Sequence, residues 1–449
     1  MTDYLVSTLS LPSRDQEVQI DISQRLPPEL LAEIFHQALP DNQHDTYCEY
    51  AAQVVRITHV CSLWRKIGIS TPTLWTRLMF LRNDSKEMEV AKVWLNRSGT
   101  APITFIICGL SLWDPPVDSD LSEAILGIMA SHCARWQRMT LLAAPIISVT
   151  ILDQIIGNLP LLESLELDLH ANGQPRLWTA FREAPRLRSL RIEGISHIPS
   201  ISLPWHQLTS LTVTIGVGDC LEMLQQTPNL VTLNVPFPLH SERASGNVPQ
   251  IQLDFLTTLD IDNENGELLG PFFDHLTLPS LSRFDLRGHL GDSPPIIASM
   301  LARSSTLKPL VQLAMEGRSV LPHHPPWHLQ ILEAVPHVES LTVVKREGSV
   351  NAVDELFEAL TISSDRCLVP KMQTFDYTPE WPRGIGNGEA LVNMIESRRR
   401  IDKGGAISQL LSVHVECPWF ELSEKDVTVS AFARLQKFSR EKLFSINTS

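Results

Sequence analysis

The sequence predicts an α+β chain: a small N-terminal module of three helical pieces, then an α/β solenoid with a parallel sheet on its concave side. Three observations carry that prediction. Apolar residues keep helical spacing between residues 26 and 75. Beyond them, one pattern, apolar-x-x-apolar-x-apolar, recurs along the chain. Helix-like stretches separate its copies, so strand and helix alternate. The boundaries follow: a tail over 1–24, the helical module over 25–78, the repeats over 79–420 and a capping helix within 421–449.

The first helical piece opens with Leu26-Pro27-Pro28-Glu29-Leu30-Leu31 and continues through Ile34, Phe35 and Ala38, a periodic apolar run behind prolines suited to a first helical turn. The polar stretch over 41–50 reads as a loop, within an insertion over 40–53. Val54, Ile57, Cys61 and Trp64 then recur at steps of three and four, which predicts a single second helix of about 20 residues ending near Gly68. Ser70 to Trp75 supplies a cap, a proline and the apolar pair Leu74 and Trp75, the third piece.

The clearest repeat copies are Leu162/Leu165/Leu167, Leu187/Leu190/Ile192, Leu208/Leu211/Val213, Leu230/Leu233/Val235, Leu256/Leu259/Ile261 and Leu281/Phe284/Leu286. Weaker copies start at Trp136 upstream and at Leu310, Val338, Met372 and Leu410 downstream. Proline stands two residues before the first apolar position in six of them (Pro160, Pro185, Pro228, Pro279, Pro336, Pro370), where it ends a preceding helix. Side chains two apart on a strand share a face, so Leu165 and Leu167 point into the core while Ser164, Glu166 and Asp168 face the open side. Each unit buries its apolar side only by stacking on its neighbours. Phe432, Leu435 and Phe438 recur at helical spacing and are expected to cover the last repeat.

Composition excludes several functions. With 37 basic against 51 acidic residues the net charge is −14, which disfavours attraction to nucleic-acid phosphates. Seven widely spaced cysteines without a Cys-x-x-Cys pair suit reduced thiols, hence the cytosol or nucleus, and leave no zinc ligands for a RING. The charge-free stretch from Gly194 to Gly218 is too rich in polar residues for a membrane span, and no secretory leader is read at the start. No metal, cofactor or catalytic residue is assigned. His323-His324-Pro325-Pro326-Trp327-His328 lacks converging ligands and reads as a loop. His59 with Cys61 and His132 with Cys133 fall on apolar helical faces, and Gly384, Gly386 and Gly388 lack the lysine of a phosphate loop. Arg398-Arg399-Arg400 reads as a charged helix end rather than a nuclear signal.

The residues Leu26-Pro27-x-Glu29-Leu30-x-x-x-Ile34-Phe35, then Val60-Cys61-x-x-Trp64-Arg65 and Pro72-x-Leu74-Trp75 make the first region resemble an F-box, over about 50 residues. The repeats resemble leucine-rich repeats without their consensus asparagine, and Trp94-Leu-x-Arg-Ser-Gly99 is similar to F-box-like proteins of mushroom-forming fungi. The resemblance implies docking on a Skp-type adaptor and through it a cullin-RING ubiquitin ligase of the SCF class, with Leu26, Pro27, Pro28, Leu30, Ile34, Val60, Cys61 and Trp64 facing the adaptor. Trp64 serves either that contact or the module's own core, and Pro28 either the adaptor or the first helical turn.

The repeat face offers a target protein nine acids against four bases: Glu166, Asp168, Glu193, Asp260, Asp262, Asp285, Glu316, Asp376 and Glu416 against Arg138, Arg191, Arg283 and Arg287. Glu166, Arg191, Asp260, Asp262, Asp285 and Asp376 are the target-binding candidates, and the surplus of acids favours a basic segment. The leading expectation is a non-enzymatic substrate receptor. The alternative is a leucine-rich-repeat interaction scaffold outside any ligase.

Overall fold

The computed structural model describes residues 26–40, 47–81, 85–108, 119–142, 149–168, 179–193, 202–238, 249–264, 269–304, 308–318, 327–345, 351–363, 367–379, 388–399, 407–416 and 427–447. The expected tail, His323 to Pro326, Gly384, Gly386 and Arg400 lie outside them. The chain divides into two compact units. One holds the described residues up to Met79 with Glu89–Ile103, and the other Phe80–Met88 with the residues from Thr104 on.

The first unit contains α1 (Pro28–Gln37), α2 (Tyr47–His59), α3 (Ser62–Ser70), a 3-10 turn (Pro72–Trp75), β1 (Arg77–Phe80) and most of α4 (Ser85–Arg97). The expected second helix is two helices. Its apolar period continues across Val60 and Cys61, but Cys61 is extended (φ −156°, ψ 173°) and its Sγ accepts the Trp64 amide at 3.4 Å as the N-cap of α3. Periodicity alone does not see a cap. The polar stretch read as a loop is helical from Tyr47, and Tyr50 is buried with its hydroxyl donating to the Leu74 carbonyl at 3.2 Å.

Leu31, Phe35, Val54, Ile57, Ile67, Leu74, Trp75 and Trp94 form the buried centre of this unit. Trp75 donates its Nε1 to the Gly68 carbonyl at 2.8 Å, meets Trp94 edge-on at 5.1 Å between centroids, and lies 4.3 Å under the Arg97 guanidinium.

The second unit runs through β2 (Ile103–Cys108), α5 (Ser119–Ala130), β3 (Trp136–Leu142), α6 (Val149–Ile155), β4 (Ser164–Asp168), β5 (Ser189–Glu193), β6 (Ser210–Val213), α7 (Val217–Leu224) and β7 (Thr232–Pro236). It continues with β8 (Ile251–Gln252), β9 (Thr258–Asn263), α8 (Gly270–Asp274), β10 (Leu276–Thr277), β11 (Arg283–His289), α9 (Pro294–Ser304), β12 (Gln312–Arg318), α10 (Trp327–Glu333) and β13 (Ser340–Lys345). It closes with α11 (Asn351–Leu360), β14 (Thr374–Thr378), α12 (Glu389–Arg399), β15 (Ser412–Glu416), α13 (Val429–Arg440) and β16 (Phe444–Asn447).

Strands β2 to β7, β9 and β11 to β16 lie side by side in chain order, while β8 and β10 pair separately. Every neighbouring pair from β3 to β16 is parallel.

The eleven expected copies fall on eleven strands in one register. Leu165, Leu190, Leu211, Leu233, Leu259, Phe284, Leu313, Leu341, Phe375 and Val413 are successive cross-strand partners, all buried. The first apolar residue of each later copy, such as Leu162 or Leu230, is buried in the turn before its strand. Each such turn is stitched to the next by one carbonyl taking two successive amides. Glu163 O accepts from Arg188 and Ser189, Arg188 O from Thr209 and Ser210, and so on to Gln373 O with Leu411 and Ser412, at 2.7–3.2 Å. A side-chain asparagine is unnecessary where the backbone closes its own ladder.

Two further corrections concern the C-terminal part. The stretch expected only as a capping helix is α13 followed by β16, whose residues Phe444 to Asn447 extend the sheet beyond β15. Arg398 and Arg399 stand in the last turn of α12, as a charged helix end, but the Arg398 side chain is not at the surface. It is fully buried, donating Nε to Leu360 O (2.7 Å), Nη1 to Val369 O (3.0 Å) and Nη2 to Leu368 O (2.6 Å). Burial pushes its guanidinium down to about 10, and three carbonyls, one at the end of α11, take its donors. Arg303 does the same for α8, donating to the carbonyls of Phe273, Asp274 and Leu276.

Candidate functional site

The docking candidates gather on α1 and at the α2–α3 corner. Pro27 caps α1 with its carbonyl, which accepts the Leu30 and Leu31 amides at 3.0 and 3.2 Å, and Pro28 occupies the first helical turn, where no amide is needed. The helix is apolar on two sides. Leu31 and Phe35 are buried, while Leu30 and Ile34, four residues apart and therefore on one face, are 52% and 45% exposed. Leu26 is half-buried, and Pro27 and Pro28 are exposed.

At the corner, Val60 is 60% exposed. Cys61 and Trp64 are half-buried, and the Trp64 ring packs on Phe35 at 4.8 Å between centroids. Part of Trp64 therefore joins the core and part stays accessible. His36 Nε2 lies 2.7 Å from Thr73 Oγ1, tying α1 to the 3-10 turn. Val55 and Ile69 are further exposed apolar residues of α2 and α3, and Val90 and Val93 are exposed on α4. The residue pattern did not single these out, because a sequence shows which residues are apolar and not which of them the core leaves over.

The target candidates all lie on the open side of the sheet, where the strands alternate half-exposed and buried positions. They form two groups and one outlier. Glu166 and Arg191 are cross-strand partners on β4 and β5, with Arg191 Nε 3.1 Å from Glu166 Oε1 and Nη2 2.6 Å from Glu193 Oε1. Asp260 and Asp285 are partners on β9 and β11, and Asp262 stands opposite Arg287. Arg287 Nη2 holds Asp260 at 2.7 and 2.9 Å, and Arg283 Nη2 holds Asp285 at 2.7 Å. Asp376, on β14, is three strands from Asp285 and accepts from Thr342 Oγ1 at 3.4 Å.

Arg191, Arg283 and Arg287 are thus engaged by carboxylates of the face itself. Burial raises the Asp260 carboxyl above its usual range against the pull of Arg287, and the neighbouring Asp285 and Asp262 add to the rise.

No cluster of three or more potential ligands for a metal occurs among the described residues, and no helix among them is long and apolar enough to cross a membrane. Burial pushes the Cys133 thiol up and the His132 imidazole down, the opposite of an activated pair.

The class defined by these features is a helical module with an exposed apolar surface, followed in the chain by a long parallel sheet. Residues 23–81 match the F-box-like domain family. No curated protein matches the chain.

Proposed function

We propose that this protein is the substrate-recognition subunit of an SCF-type cullin-RING ubiquitin ligase. The observation that carries the reading is the exposure of Leu30, Ile34 and Val60 within an F-box-like match. Apolar side chains grouped on a small helical module are stabilised by a partner that covers them. In this reading Leu26, Pro27, Pro28, Leu30, Ile34, Val60, Cys61 and Trp64 meet a Skp-type adaptor. The second unit is a leucine-rich-repeat-like solenoid whose open sheet face takes the target, with Glu166, Arg191, Asp260, Asp262, Asp285 and Asp376 in contact. The Trp94 to Gly99 run supports a kinship with the F-box-like proteins of mushroom-forming fungi.

The receptor carries no catalytic residue of its own. Holding a target lysine near the charged conjugating enzyme raises its effective concentration, so the contribution is geometric. Cys61, Cys133, Cys220 and Cys367 are free thiols, which supports a cytosolic or nuclear setting.

Co-purification with a Skp-type adaptor tests the docking half. Wild type is expected to form a stable complex, and Leu30→Glu with Ile34→Glu is expected to lose it while keeping its circular dichroism spectrum. A well-folded wild type that captures no adaptor rejects the receptor reading in favour of a repeat scaffold. For the target half, charge reversal of Asp260, Asp262 and Asp285 to lysine is expected to abolish binding of an isolated target.

A further inference from the structure

α2 ends at His59 and α3 begins at Ser62, so the presentation of Val60 depends on a corner of two residues. The last turn of a helix leaves carbonyls without partners in that helix, and the Thr58 carbonyl lies in such a turn. Arg65, in the first turn of α3, reaches back across the corner and donates Nε to Thr58 O at 3.0 Å, while its amide donates to Cys61 O at 2.9 Å. Its positive charge also stands at the negative end of α2.

α3 also comes close to Thr58 at Gly68. A Cβ added to Gly68 would come within 3.0 Å of Thr58 Cγ2, so α3 passes close to α2 at Thr58. With the Cys61 Sγ cap on the Trp64 amide, these contacts bracket both Val60 and Trp64.

We infer that Arg65 is a positioning residue for docking: by bonding the end of α2 it keeps the corner in the arrangement that presents Val60 and Trp64. The inference rests on the adaptor-docking reading above. Affinity falls with the fraction of molecules that hold the competent arrangement, so a corner kept by one molecule in ten binds about tenfold more weakly.

The test compares full-length wild type, Arg65→Ala and Arg65→Lys by amide hydrogen exchange in the free protein and by adaptor-binding kinetics at low and high salt. In Arg65→Ala the amides from Val60 to Trp64 are expected to exchange about tenfold faster, with those of Leu31, Phe35 and Leu74 unchanged. Its Kd for a purified Skp-type adaptor is expected to rise about tenfold through slower association, equally at both salt concentrations. Arg65→Lys, which retains a charged donor, is expected to recover most of both effects. Unchanged exchange in Arg65→Ala overturns the inference. So does an affinity loss that disappears at high salt, which marks a direct ionic contact with the adaptor. If wild type itself binds no adaptor while the corner loosens in Arg65→Ala, the docking reading is rejected and Arg65 is a structural residue only.

Discussion

In the sheet unit both core-facing residues of every repeat strand from β4 to β15 are buried, whereas α1 of the helical unit buries Leu31 and Phe35 and exposes Leu30 and Ile34. The difference lies in what each unit has to stack against. A repeat strand has a neighbour on each side and helices behind it, so its apolar positions are consumed by the fold. The helical unit has four short helices around one small centre, and that centre closes before its apolar residues run out. Exposed apolar residues of the sheet unit, such as Phe255, Leu411 and Val429, lie outside its strands, whereas Leu30 and Ile34 share one face of a helix, and that is what makes the second case informative.

Polar groups divide the same way. In the sheet unit the arginines Arg303 and Arg398 are spent on carbonyls at helix ends and in following turns, and the face arginines on adjacent acids. In the helical unit Arg65 makes a comparable bond, from an exposed position, at the corner that carries an exposed valine.

Four variants sharpen or break this comparison, in order of expected effect. Arg398→Ala leaves the carbonyls of Leu360, Leu368 and Val369 buried without their donor, a loss on the order of 4 kcal/mol in a denaturant titration. A loss below about 1 kcal/mol would show that water replaces the guanidinium. Leu233→Ala removes a fully buried side chain from the ladder and is expected to cost about 2 to 5 kcal/mol, read as a lower unfolding midpoint. Leu30→Ala is expected to cost under about 1 kcal/mol of stability, because the side chain is half in solvent, yet to weaken adaptor binding. Equal stability losses at Leu30 and Leu233 would erase the distinction between the two units.

The smallest effect concerns Asp260. Its carboxyl is raised in the fold, so between the ordinary carboxylate range and the raised value the folded chain holds more proton than the unfolded one. Stability contributed by this group is therefore present at low pH and lost as pH rises through that window. Asp260→Asn has no proton to lose there, and its stability relative to wild type is expected to improve from about pH 4 upward in urea melts.

The parallel strands were legible in the sequence because their signal recurs: eleven spaced copies, six with a proline at one offset, fix the strands far better than a single window does. The strands outside the pattern were not. β16 has Phe444 and Ile446 but no full copy of the motif, and it forms because β15 offers an edge to pair with. The break between α2 and α3 was equally hidden, since Cys61 suits both a helical face and a cap, and only its thiol on the Trp64 amide selects the cap.

The candidate site divides along the same line. By itself the sequence determined which residues resemble a docking module and which positions of each strand turn inward, because local spacing sets both. Tertiary structure alone decided that Leu30, Ile34 and Val60 are left outside the core, that Trp64 is shared between core and surface, that Arg398 is buried, and that the face arginines are matched by acids. Each of those outcomes depends on which residues distant in sequence the fold brings against a given side chain, and burial and pairing follow from that packing rather than from spacing along the chain.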